Sequence, residues 1–236
     1  TGQIAAIETG DLRALNTSAL RALTTDQLNA LGSDQVAALT TQQVAALTTG
    51  QVAALTTNQF ANLNTAQIAA IDTADIRAIT TAHAAALNTA QVAALTTAQV
   101  KAIATDDLAK LTTDQIAALT TAQASSLTTT QVAALNTAQV AAIETTDIRA
   151  ITTAHAAALN TAQVAALGAL QVAGFGSAQI AGLTAAQVGA IGTAAIAGIG
   201  SAAIAGLGSD QVASFTTAQA AALTSTRHLP FLRRPC

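Results

Sequence analysis

Apolar and polar residues alternate along this chain with a period of eight, from Thr1 to Thr224, without an insertion or deletion. In the unit Thr-x-Gln-Val-Ala-Ala-Leu-Thr, the seventh place is Leu, Ile or Phe throughout, as in Leu15, Leu23 and Leu31. The fourth place is Val, Ile, Leu or Phe except at Ala84, Ala124, Ala156 and Ala220. The first is Thr or Ser except at Ala169 and Ala185, the third is usually Gln, and the sixth is almost always Ala or Gly. A fixed short period marks a repeat array, in which each unit buries its apolar face only against neighbouring units.

One continuous helix does not fit this period. At about 100° per residue, eight residues advance ~800°, and the leucines would drift around the axis by about 80° per unit. A strand would put the fourth and seventh places on opposite faces and would have to accept Gln-Val-Ala-Ala, which is poor strand material. A helix of roughly six residues per octad suits every column, because the fourth and seventh places then share a face. The first-place Thr or Ser is the expected N-cap. The residue before it, such as Asn16, Asn64, Asn88, Gly32 or Gly176, would then close the preceding helix in a left-handed link. A rival register sets the cap one residue earlier, so that Thr24 and Gln27 form a capping box. Helices this short do not survive alone. The expected fold is therefore all-α: an α-solenoid of about 28 short capped helices, one per octad.

In that solenoid the fourth and seventh places point inward, and the sixth-place Ala or Gly lets neighbouring helices approach. The third-place Gln bonds to backbone or to the next unit. The second, fifth and eighth places are expected on the outside. The stretch beginning at Leu63 nearly repeats at Leu135, nine octads later. That echo suggests block duplication and is compatible with three octads per superhelical turn.

Composition divides the array. Residues 1–167 are Thr-rich and carry nearly all the charge, while from Gly168 to Gly208 there is no charged residue and Gly often replaces Thr at the eighth place. The Gly/Ala-rich octads span 168–224 and are read as the same solenoid. Their uncharged surface suits self-association or a protein partner. Glycine at this density, with Ser177, Gln179, Gln187 and Ser201 still in phase, argues against a membrane-spanning helix. Residues 225–236 break register and hold both prolines and the sole cysteine, Cys236. They read as a terminal cap or as an appended or frameshifted end. The chain starts in phase, without Met, which reads as a segment of a longer array.

A formal charge of −3 supplies no basic footprint, so nucleic-acid binding is not expected. A single cysteine excludes a disulfide framework. Three octads carry an acid–acid–Arg pattern: Glu8, Asp11, Arg13; Asp72, Asp75, Arg77; and Glu144, Asp147, Arg149. His83 and His155 follow the last two in the next octads. If consecutive octads stacked in one column, Asp75 would meet His83 and Asp147 would meet His155, giving weak metal candidates. The simpler reading is acids complementing helix N-termini, with His and Arg balancing their charge. No phosphate loop and no nucleophile–base set stands out, so neither catalytic nor cofactor-binding residues are expected, and the chain is read as no enzyme.

The octad resembles the L-T-T-x-Q-[VI]-A-A arrays of large bacterial secreted or cell-surface, adhesin-like proteins. That resemblance implies an extracellular or cell-surface location and a spacer, stalk or protein-interaction scaffold. The calcium-binding Gly-Gly-x-Gly-x-Asp repeat of such proteins is absent here, so calcium binding is not carried over. LTTDQVAAL-like units are also similar to the first helix of transcription activator-like effector repeats, over one helix only and without their base-reading loop. A second functional class is ice or crystal-surface binding through the regular Thr rows.

Overall fold

The structure is a computed structural model that describes residues 2–227. The described residues form 28 helices, from α1 (Gly2–Ala5) to α28 (Thr217–Arg227), and no strand. Most of the helices between are five or six residues long, such as α9 (Thr65–Ala70), α12 (Thr89–Ala94) and α18 (Thr137–Ala142). Most of the segment 225–236, read above as a cap or an appended end, lies outside the described residues, and Cys236 with it.

The rival register is the one adopted. The N-cap is the eighth-place residue, and the first-place Thr or Ser is already the first helical residue. In α4 (Thr25–Asn29) the Thr24 hydroxyl accepts from the Gln27 N–H at 3.2 Å, and Gln27 Oε1 accepts from the Thr24 N–H at 2.9 Å. The reason is reach. With the cap at the eighth place, Gln falls at the third helical position, where its amide can bend back to the cap. Asn64 and Asn88 do the same through Oδ1, at 3.0 and 2.9 Å. The left-handed links are not formed. Among the described residues no φ is positive, and the cap residues are extended, Thr24 at φ −69°, ψ 160°. The chain turns each corner through extended backbone between helices.

Two compact units divide the chain, Thr1–Leu127 and Thr128–Cys236. The compositional step at residue 168 falls inside the second unit. Unit 1 holds α1 to α16 (Thr121–Ser126) and unit 2 holds α17 (Thr129–Ala134) to α28. Within each unit a helix packs on the one three octads later. In unit 1, α8 (Thr57–Ala61) packs on α11 (Thr81–Ala86), and α11 on α14 (Thr105–Leu108). In unit 2, α22 (Ala169–Gly174) packs on α25 (Thr193–Ile196). One turn of the solenoid is therefore three octads, each a helix and a corner.

Fourth- and seventh-place side chains fill the inside: Leu28, Val52, Ile68 and Val92 are fully buried, with Leu55 and Leu95 close to it. Each such burial contributes ~1.5–3 kcal/mol, which is what holds helices too short to stand alone. The second, fifth and eighth places are mostly outside, and the first place, expected to be consumed in capping, joins them there. The sixth place is where turns approach. At Gly198 an added Cβ would lie 2.6 Å from the Ala169 carbonyl oxygen, so only glycine permits α25 to sit this close to α22. At Gly174 an added Cβ would lie 3.3 Å from the Ile148 side chain and the Thr145 carbonyl oxygen, a close but less severe approach.

Candidate functional site

The polar chemistry of the interior is a vertical ladder made by the third place. Gln99, in α13 (Thr97–Ala102), shows one rung in full. Its Oε1 accepts from the Thr96 N–H at 2.7 Å, and its Nε2 donates to the Ile68 and Ile71 carbonyls at 2.8 and 2.7 Å. These carbonyls stand at the corner where α9 ends, one turn below. A helix leaves its first N–H groups and last C=O groups without partners. One glutamine satisfies both kinds, on two successive turns. The same pair of bonds recurs at Gln59, Gln123 and, in unit 2, Gln163 and Gln179. Where Gly168 or Gly176 is the cap, the Gln still accepts the glycine N–H, but the side-chain half of the box is missing.

His83 is a rung as well. Its Nδ1 accepts from the Thr80 N–H at 3.3 Å, and its Nε2 lies 2.6 Å from the Leu55 carbonyl, again one turn below. A carbonyl oxygen only accepts, so the ring hydrogen sits on Nε2 and imidazole reproduces both halves of the Gln amide. Both ring nitrogens are thus committed to backbone. The ring stacks on Phe60 with centroids 4.8 Å apart and planes at 23°. Phe60 and Ala84 occupy the fourth place in successive turns, so the large residue lies where the small one leaves room. His155, in α20 (Thr153–Ala158), takes the Thr152 N–H on Nδ1 at 3.2 Å and is buried likewise.

The acid candidates land elsewhere than the column reading put them. Asp75 is on α10 (Thr73–Ile76), which packs on α7 (Thr49–Ala54) and α13, whereas α11 with His83 packs on α8 and α14. The neighbour three octads from His83 is Asp107, not Asp75. Asp147, on α19 (Thr145–Ala150), packs toward α22, and His155 toward α23 (Ser177–Ala181). The reason is the three-sided turn, which separates consecutive octads and stacks every third one. The echo between Leu63 and Leu135, nine octads or three such turns, was the sequence signal for that stacking.

Asp75 is buried and accepts from the Thr49 hydroxyl at 2.6 Å. It lines a polar hollow of about 280 Å³ with Arg21, Thr48, Thr49 and Asp72. Arg13 reaches from α2 (Thr9–Ala14) to cap α5 (Ser33–Ala37), its Nε donating to the Ala38 carbonyl at 3.0 Å. Asp107 differs. Burial, then the adjacent Asp106 carboxylate, push its carboxyl up from the ordinary value, against a smaller opposing pull from His83. Among the described residues no group of three or more His, Cys, Asp or Glu is placed to hold a metal ion. None of the described helices is long and apolar enough to cross a membrane.

In unit 2 the surface is apolar at one point above the rest. Leu170, on α22, is 75 % exposed and lines a groove of about 390 Å³ with Ile143, Glu144, Gly168 and Gln171.

The family model described as the ALTTAQ repeat matches residues 4–41, 36–65, 68–103, 100–137, 140–176 and 188–225. No curated protein matches the chain. The six tandem matches follow the octads on which the ladder is built.

Proposed function

Since the chain belongs to the ALTTAQ repeat family and is a structural repeat region, we propose that it is a non-catalytic spacer, stalk or interaction scaffold of a larger bacterial secreted or surface protein. The observation that carries this reading is the ladder. The buried glutamines and His83, which in an enzyme would be held ready for substrate, are here spent on backbone groups of successive turns. Much of what remains outside is Thr and Ala, repeated octad by octad, which supplies reach and extent. The uncharged octads around Leu170 are its contact for a second copy or a protein partner.

A spacer is judged by length and not by surface detail. Deleting one three-octad turn removes one rung from each corner and keeps the register. In the parent protein that deletion is expected to reduce function with reach, whereas charged substitutions at exposed second places leave it unchanged. Function abolished by such surface substitutions, with the circular dichroism intact, would overturn the spacer reading.

The exposed first place favours one further reading. Because capping uses the eighth-place hydroxyl, the first-place Thr side chains stand outside, one row per corner, as at Thr57, Thr81 and Thr89. Such rows suit ice or another crystalline surface. A thermal hysteresis measurement at high protein concentration decides it: unshaped ice crystals and no freezing gap would remove this reading.

A further inference from the structure

From Gln43 to Gln123 in unit 1, every third-place side chain but one bonds to a residue of the preceding turn. Glutamines 43, 51, 59, 67, 91, 99, 115 and 123 do so through Nε2, His83 through its ring and Asp75 through Thr49. Asp107 has no such bond among the described residues. By the register of the other rungs, which reach carbonyls 31 and 28 residues back, a glutamine there would give its amide hydrogens to the Ile76 and Ile79 carbonyls. A carboxylate has no hydrogen to give and repels those oxygens. Ala104 offers no capping side chain either, and the Asp107 N–H turns back to the Ala104 carbonyl at 3.1 Å. The helix α14 ends after four residues.

We propose that the contact between α11 and α14 is a built-in joint, the place at which the coil of unit 1 opens first. The inference concerns the coil itself and stands or falls apart from the spacer reading. The joint responds to acid. The carboxyl is raised in the fold, so the stabilisation is complete below the unfolded aspartate value and is lost as pH rises through the folded one. Deprotonation of the carboxyl weakens the joint, and acid tightens it. The charged and titratable groups that act on Asp107 are Asp106 beside it in α14 and His83 on α11, and Lys110 follows in the same octad.

Amide hydrogen exchange on the intact chain tests this, with α15 (Thr113–Ala117), which carries the Gln115 rung, as the internal reference. At neutral pH the amides of α14 are expected to exchange about tenfold faster than those of α15. Asp107→Gln, which puts the prevailing rung residue in place, closes that gap, and Asp107→Asn, which removes the charge without the reach, closes part of it. Lowering the pH toward the carboxylate range narrows the gap in the natural chain and not in Asp107→Asn. Equal exchange in α14 and α15, or a gap that neither substitution narrows, overturns the proposal.

Discussion

Replacing Gln99 by leucine is expected to lower the stability of the chain by about 3–5 kcal/mol, although the side chain keeps its bulk. The glutamine is 1 % exposed, and two backbone groups lose their partner together, the Thr96 N–H and the Ile71 carbonyl, while the Ile68 carbonyl loses its second donor and keeps the Ile71 N–H at 3.2 Å. Each group left buried without a partner costs ~1–3 kcal/mol. An exposed second-place residue such as Ala98, changed to serine, is expected to shift stability by less than ~0.5 kcal/mol and serves as the control. Urea unfolding followed by circular dichroism measures both. A loss at Gln99→Leu no larger than at the control would mean that the ladder is incidental to stability.

Phe60→Ala is expected to have a comparable effect, about 3–5 kcal/mol, for a different reason. Phe60 is fully buried and stacks on His83, and the fourth place one turn on is already Ala84. Truncation leaves two small residues in successive turns with no side chain able to fill the gap, so a cavity persists. Phe60→Leu, which restores most of the volume, is expected to recover more than half of the loss. The cavity account predicts in addition that Ala84→Val rescues Phe60→Ala and destabilises the natural chain through overpacking. Additive effects of the two substitutions would show that the residues do not share a space.

How far the chain could be read before its coordinates depends on the range of each interaction. The short helix, the inward fourth and seventh places and the reach from the cap Thr24 to Gln27 are local, and a period of eight displays them directly. The choice between two adjacent cap positions was open in the sequence, since both put a helix start in every octad. It was decided by the geometry that lets one amide serve its own cap and the corner beneath. His83 was legible as a departure from Gln but not as its replacement. Its role appears only once Leu55, one turn below, is seen to stand beneath the ring. The pairing of Asp75 with His83 failed for the same reason, because adjacency in sequence is not adjacency in a three-sided coil.

By itself the sequence determined the element type, its length, the buried columns and the array architecture, because each follows from spacings within a single octad. Only the tertiary structure decided that three octads close a turn, that Gln and His tie turn to turn, and that Asp107 interrupts the ladder. Those outcomes hinge on contacts between successive turns, set by how much each corner bends, and no single octad carries that angle in its residues.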